Sequence, residues 1–540
     1  MRAITTHRSI FALIVLSSVV ASPQSSTKPD AATAAWWGQT TALSNDAMEG
    51  RDTGTEAYER AAKYVADQFK AAGLKPAGDN GTFFQRVPMH QVDLDINNSS
   101  VEVYDQSRPG ISVAVINNTT GSAGSNPPYL LQQVTLTPRE DLPPLTTGEM
   151  VFVGYGLPET TTDLKGKIAV FFNNTPANLT PQERDSYAAR RLRALAQAGA
   201  IATVSIDNPL AIEPFHWPAA YARTVTLQGQ TLPASANSPI ALRISSEHAA
   251  DLFFSSGHEI GDIRRDGAAG APLPTFPLKN RIRIRIATTS KDISSPNILA
   301  ILPGSDPKLA PEYVALSAHL DGYGYGTPVL GDNLYNGTLD DAAYVALLIE
   351  LAKDLHHNAP ARSLLFCIFT GEEKGLLGSA WFTQHLTVPK ENIVANLNLD
   401  QLRPIFPLNI LTMEGLNDST LGDTVHTVAT QYKIEIRPDL EPERNLFRRA
   451  DNYNFVRIGV PIASFIFGYD KGSPEEAVYR DWYARRYHKP QDDIKTPIDW
   501  AAASKFNRFY TSLTLAIANS PTRPQWLPAS PYSPHPKTAQ

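Results

Sequence analysis

Five short strings in the C-terminal half of the sequence carry acids and imidazoles where chemistry could be done. "SAHLD" sets His319 and Asp321 at the end of an apolar run, and "YNGTLDDAA" sets Asp340 and Asp341 ahead of a helical pattern. "FTGEEKGLLGS" sets Glu372 and Glu373 after a second apolar run, and "NLNLD" ends a third with Asp400. "YHKPQDD" presents Tyr487 and His488 in a late loop. Carboxylates and imidazoles bind divalent ions and move protons near neutral pH. Taken singly, each has an ordinary explanation. His319 could be a structural histidine, Asp340 or Asp341 a helix cap, and the glutamates a solvated helix start favoured by the macrodipole. His488 alone says nothing.

Taken together, the ordinary explanations fail on electrostatics. In an open α/β sheet, groups beyond the carboxyl ends of the strands converge on one rim. Carboxylates gathered at a partly dry rim cost on the order of several kcal/mol each when unpaired. The neighbouring sequence offers few fixed cations to pair them. Two divalent ions resolve the conflict. Against three ligand carboxylates they leave a single positive charge, which an unligated Glu372 cancels. One imidazole, one terminal carboxylate, one shared aspartate and one shared water per ion give the four-coordination that suits zinc. Cys367 is the single cysteine and lies inside an expected strand, so a thiolate site and an intrachain disulfide are both excluded.

The elements that must position these groups are legible from apolar periodicity. Residues 297–302, 313–318, 363–369, 393–399 and 461–467 read as buried strands, with a helical pattern over 341–355. Alternating strands and helices imply an α/β fold, a mainly parallel mixed sheet sandwiched by helices. Upstream, Tyr58, Ala61, Ala62, Val65, Phe69 and Ala72 recur at helical spacing, and Gly73 follows as a stop. Between 125 and 270, short apolar runs alternate with Pro, Thr and Gly around one helical stretch at 181–198, which reads as an inserted β-rich module. The expected organisation is a signal peptide over 1–21, the first part of the main domain over 34–120, the insert over 125–270, the main part over 280–520 and a Pro-rich tail over 521–540.

Bulk properties narrow the function classes. The chain has 540 residues, 42% hydrophobic and 19% charged, an ordinary globular composition. A net charge of −6 argues against a nucleic-acid partner, which needs a basic footprint. The alternation from Arg281 to Ile286 reads as a strand with one solvated face. Arg2, His7 and Arg8 precede the apolar run 10–20, and Val19-Val20-Ala21 offers a small-residue cleavage site. The chain is therefore expected to be secreted or periplasmic. With no later apolar run of about 18 residues, no integral membrane segment is expected after signal removal.

The five strings, in this order, resemble the di-zinc aminopeptidase family, which includes secreted bacterial aminopeptidases, glutamate carboxypeptidases and the glutaminyl cyclases. The stretch "LSNDAMEGRDTGTEAYERAAKYVADQFKAAGLKPAGDNGTFFQ" is similar to the family's N-terminal helical region. The segment carrying "VFVGYGL", "DLKGKIAVFF" and "LRALAQAGAIATVSI" resembles a protease-associated domain. The resemblance implies a zinc exopeptidase fold, two Zn2+ ions and peptide substrates with a free N-terminus. His319 and Asp400 would bind one ion, Glu373 and His488 the other, and Asp340 would bridge both. Glu372 would be the general base, Asp321 would orient His319, and Tyr487 would steady the oxyanion. The resemblance also implies a cis peptide between Asp340 and Asp341. Ala343 and Tyr344 depart from the Ser-Gly often found there, and Asn452 stands where many members carry His, which leaves substrate preference open. Three alternatives remain at this level. The first is a carboxypeptidase using Arg403, Arg448 or Arg449 as cations. The second is a one-zinc glutaminyl cyclase. The third is a binding protein without catalysis, which should have lost a ligand although none is missing. Oligomeric state is not indicated.

Overall fold

The computed structural model describes residues 28–105, 112–116, 130–157, 162–180, 183–184, 186–211, 213–230 and 238–533. The expected signal peptide and the last seven residues of the Pro-rich tail lie outside them. No helix among the described residues is long and apolar enough to cross a membrane.

A ten-stranded mixed sheet forms the main body. Its strands run in the order Glu435–Arg437, Ile410–Glu414, Ile462–Gly468, Ile393–Asn398, Tyr313–His319, Ser363–Phe369, Thr288–Leu302, Phe84–Leu94 and Arg223–Leu227, with Lys75–Pro76 pairing off this path. At its centre Tyr313–His319 runs parallel to both Ser363–Phe369 and Ile393–Asn398, which in turn runs parallel to Ile462–Gly468. Because strand side chains alternate, the sheet builds two cores. Val314, Leu316, Ala318, Phe366 and Ile368 face the helices Ala31–Ser44, Glu56–Ala71, Ala343–Leu355 and Trp500–Ala518. Ala315, Leu365, Cys367 and Phe369 face Phe382 and Phe455 on the short helices Leu377–Gln384 and Asn452–Arg457. Burial on both faces is why these strands read as near-continuous apolar runs. The helix Glu56–Ala71 begins where the Thr55 hydroxyl accepts the Tyr58 N–H at 3.2 Å, and it stops just before Gly73, whose φ of 75° an L side chain rarely adopts.

A second, eight-stranded sheet has its own apolar core, including Met150, Phe152, Val170, Val204, Leu242 and Ile284. Its strands are Ser112–Ile116, Ser100–Asp105, Thr275–Arg285, Leu145–Val153, Ile168–Phe172, Ala202–Ile206, Ile240–Ile244 and Val134–Leu136. Membership of this sheet extends beyond the 125–270 expected for the insert, because 100–105, 112–116 and 275–285 pair within it. Arg223–Leu227 does the opposite: it leaves the module and pairs antiparallel with Phe84–Leu94 at the edge of the main sheet. The basic alternation resolves as a strand with a wet face, Ile282 and Ile284 buried while Arg281 and Arg283 pair with Glu149 and Glu102. Of the expected 181–198 helix, regular structure covers Tyr187–Gln197, while 181, 182 and 185 lie outside the described residues. The expected 341–355 helix becomes regular only at Ala343, after a wide turn over Thr338–Ala342.

Candidate metal centre

The three central parallel strands end on one rim, and the acids and imidazoles gather there. His319 closes its strand, Glu372 and Glu373 follow Ser363–Phe369, and Asp400 follows Ile393–Asn398. Asp340 approaches from the turn before Ala343–Leu355, and His488 from the loop after Pro474–Arg485. His319, Asp340 and Asp400 offer ligand atoms within 4.8 Å of one another, as do Asp340, Glu373 and His488. Asp340 is common to both groups. Its Oδ1 faces His319 Nε2 at 3.2 Å and its Oδ2 faces His488 Nε2 at 3.5 Å. Glu373 Oε2 lies 3.3 Å from His488 Nε2, and Glu372 Oε2 lies 4.0 Å from His319 Nε2. The peptide between Asp340 and Asp341 is cis.

The ordinary explanations for these residues fall away. The helix Ala343–Leu355 has no side-chain cap, so neither Asp340 nor Asp341 caps it. Glu372 and Glu373 are not solvated, their side chains being only 10% and 5% exposed. Asp340 Oδ2 and Asp400 Oδ1 are buried with no hydrogen-bond partner among the described residues, an arrangement that costs stability unless something else satisfies them. The donor set, two imidazoles and three carboxylates in two groups sharing one aspartate, fits a pair of divalent ions of the zinc type.

Charge in the pocket tells the same story. Burial pushes the Glu373 carboxyl up to about 7 and that of Asp400 up to about 6, and it raises Glu372 well above the usual range. Burial also opposes charge on Asp340, but His319 and His488 outweigh it and hold this carboxyl below its ordinary range. Without added positive charge, the pocket therefore takes up protons on its outer carboxylates. The fixed cations nearby, fewer in the sequence reading than in the structure, serve other partners. Arg51, fully buried, donates to the carbonyls of Leu43, Leu320, Asn336 and Gly337 at 2.7–2.8 Å. Lys374 reaches Asp52 at 3.1 Å, the Tyr221 hydroxyl at 2.5 Å and the Gly322 carbonyl at 3.1 Å.

Supporting contacts differ in part from the sequence reading. His319 Nδ1 lies 3.0 Å from the backbone carbonyl of Asp321 and 3.8 Å from its carboxylate. That carboxylate instead accepts the Glu372 N–H at 3.0 Å and the Thr53 hydroxyl at 2.9 Å, so it fixes the glutamate loop more directly than the imidazole. Tyr487 is buried, with its ring stacked on His488 at 3.7 Å between centroids. Several residues escaped the sequence reading. The Tyr323 hydroxyl lies 3.1 Å from His488 Nδ1, an outer contact of the kind that orients an imidazole. Asp492, inside the last string, receives the backbone N–H groups of Leu339 and Asp340. From the second-sheet module, Glu213 pairs with Arg444 and Arg449, and the His216 ring lies 5.2 Å from Tyr487 and 5.9 Å from His488. No local pattern marks either residue, because their role comes from how the module docks.

Two cavities meet at this rim and share Tyr323, Arg449 and His488. The smaller, about 440 Å³, contains Glu372, Glu373 and Asp400 and is closed by Arg403, Glu414 and Asn452. The larger, about 950 Å³, runs under the module. Of the three arginines named as possible substrate cations, Arg449 is held by both Glu213 oxygens at 2.7 and 2.8 Å. Arg403 is packed among the rings of Tyr479, Trp482 and Tyr483, and Arg448 lines the smaller cavity. Tyr344 is fully buried against Phe506, in the core and not in either cavity wall.

Residues 297–514, the stretch that holds His319, Asp340, Glu372, Glu373, Asp400 and His488, match the model of Peptidase family M28. A probable zinc metalloprotease of Pyrenophora tritici-repentis is 35% identical over 106 residues, 19% of this chain and 24% of that protein. Aminopeptidase YwaD of Bacillus subtilis is 24% identical over 207 residues, 37% of this chain and 40% of that protein. The chain thus aligns with less than half the length of these relatives. The solved aminopeptidase from Aneurinibacillus sp. strain AM-1 superposes with a TM-score of 0.56 at 17% identity, covering 90% of this chain and 93% of that one, which shows a shared fold.

Proposed function

We propose that the chain is a zinc-dependent aminopeptidase, a hydrolase that removes N-terminal residues from peptides. One observation carries the reading: two ligand groups share Asp340, whose two oxygens face opposite imidazoles at 3.2 and 3.5 Å. The match of residues 297–514 to a peptidase family model, and aminopeptidase names among the relatives, support the same conclusion. In this reading His319 and Asp400 would hold one zinc and Glu373 and His488 the second, with Asp340 common to both groups. Bound there, two zinc ions supply Lewis acidity, acidifying water and polarising the scissile carbonyl. Glu372, poised beside His319 and fixed through its backbone by Asp321, accepts the proton of the attacking water and returns it to the leaving amine. The Tyr487 hydroxyl donates to the oxygen that gains charge in the transition state. Tyr323 keeps His488 oriented through Nδ1. The substrate's α-amine sits among the carboxylates of the smaller cavity. The second-sheet module is read as a protease-associated domain, and the enzyme as exported.

A carboxypeptidase is the second reading, favoured by the unpartnered, buried Nη1 of Arg403 beside the smaller cavity. Hydrolysis of a panel of amino-acyl anilides, compared with an N-blocked dipeptide, separates the two. The proposal expects anilide turnover that a chelator abolishes and zinc restores. Cleavage of the blocked dipeptide with no anilide turnover would overturn it.

A further inference from the structure

The larger cavity has one end at the proposed zinc centre, marked by Tyr323 and His488, while other parts of its wall come from the second-sheet module. Phe215, His216 and Arg243 line it from that side. Arg243 lies on the strand Ile240–Ile244, with its flanking residues Leu242 and Ile244 in the module core. Its guanidinium lies over the Phe215 ring, 4.4 Å from the centroid. Among the described residues, its side chain makes no hydrogen bond or ion pair. The acid that influences it, Asp207, commits its oxygens elsewhere: Oδ2 accepts the Trp217 Nε1–H at 2.7 Å and Oδ1 the Ser246 N–H. The contrast with Arg449 in the same cavity is direct, since that guanidinium is paired with both oxygens of Glu213. A half-buried guanidinium supported by an aromatic ring, facing a cavity and hydrogen-bonded to no acid among the described residues, is a ready carboxylate receptor. Its planar fork matches a carboxylate with two parallel hydrogen bonds.

In an aminopeptidase, everything after the first residue must leave the centre on the side away from the α-amine. The smaller cavity, walled by Arg403, Glu414 and Asn452, holds the amine and first side chain. The larger cavity is then the route for the leaving portion. We infer that this cavity is a subsite for the leaving portion of short peptides, in which Arg243 binds the free C-terminal carboxylate. His216 at the near end, with an unpartnered Nε2, offers a polar contact to the intervening peptide group. The inference rests on the aminopeptidase reading and adds a substrate class to it: oligopeptides with a free C-terminus.

The test uses the zinc-loaded full chain and the amino-acyl anilide it turns over fastest. Peptides bearing that same N-terminal residue followed by one to four glycines are assayed, each as free acid and as C-terminal amide. At one chain length the free acid should exceed the amide in kcat/KM by roughly tenfold to a hundredfold, the range expected for a charged hydrogen-bonded pair, and mainly through KM. Arg243→Gln should bring that ratio to about one and Arg243→Lys should keep part of it, while anilide turnover and zinc content stay unchanged. A ratio near one at every length in the wild type overturns the inference, as does a ratio that survives Arg243→Gln. An equal loss on anilide and free acid assigns Arg243 a purely structural role and overturns it as well. If Arg243→Gln fails to fold, the wild-type ratio and Arg243→Lys decide. Absent anilide turnover sinks the aminopeptidase reading itself, whereas anilide turnover without an acid preference sinks this inference alone.

Discussion

Asp492 grips the backbone of Asp340. Its carboxylate accepts the Asp340 N–H at 3.0 Å and the Leu339 N–H at 3.1 Å, so a residue four positions beyond His488 sets where the shared aspartate points. The turn that carries Asp340 and the loop that carries His488 are thereby tied together. Asp492→Ala strands two buried N–H donors, each costing about 1–3 kcal/mol. It should lower the melting temperature and speed zinc loss to a chelator, whereas Asp492→Asn, which keeps one acceptor, should do less of both. Differential scanning fluorimetry with a zinc-release dye reads the two effects, and unchanged zinc release in Asp492→Ala would remove Asp492 from the account.

Glu372 stands apart from the ligand groups, 4.0 Å from His319 and outside both triads. Glu372→Gln should therefore keep its zinc and lose about 10²–10⁴-fold in kcat, the usual contribution of a positioned acid–base group. Elemental analysis beside anilide kinetics makes the comparison. Retained turnover removes Glu372 from the base role, and lost zinc would make it a ligand.

Zinc uptake should be strongly pH-dependent. In the metal-free protein, burial raises the carboxyls of Glu373 and Asp400 to about 7 and about 6, so both carry protons below those values. Ligation needs the ionised forms. Affinity should rise as pH increases through 6 and 7, with protons released on binding near pH 6. Titration calorimetry in buffers of differing ionisation enthalpy measures that release; a proton-neutral, pH-flat affinity would contradict the reading.

Glu213 anchors the module to the main body. Burial opposes its charge, but Arg449 and Arg444 prevail and hold its carboxyl down to about 2, against 4.5 ordinarily. A depressed folded value stabilises the fold fully above the unfolded pKa and loses that stability as pH falls towards the folded one. Glu213→Gln should thus lower the melting temperature at pH 7, taking an anion from Arg449 and from the buried Arg444, and the gap to wild type should narrow below about pH 4.5. A gap independent of pH across that window would show that the charge is not what matters.

Most of the rim was legible because His319, Glu372, Glu373 and Asp400 follow apolar runs and Asp340 precedes a helical pattern, whereas His488 lies in a loop with no such mark. The strand over 363–369 and the parallel core follow directly from burial on both faces. What stayed hidden depends on partners distant in sequence. Thr288–Leu302 begins with seven mostly polar residues that become a strand only because Phe84–Leu94 pairs along them. Arg223–Leu227 has the same alternation whichever sheet it joins, so its move to the main sheet leaves no trace in its own residues. Tyr323, Glu213 and His216 are ordinary in type and spacing; only docking of the module brings the last two to the rim. The Asp321 carboxylate, expected to orient His319, lies nearer the Glu372 N–H at 3.0 Å than the His319 ring at 3.8 Å, a difference set by a backbone group that side-chain patterns do not reveal.

The central claim is that Asp340 joins two zinc sites. Zinc content per chain, measured by elemental analysis on the wild type and on Asp340→Ala after dialysis, tests it most directly. The account expects two zinc ions per wild-type chain and near-complete loss of both in Asp340→Ala. A wild type that retains no zinc, or an Asp340→Ala chain that keeps its full complement, would contradict it.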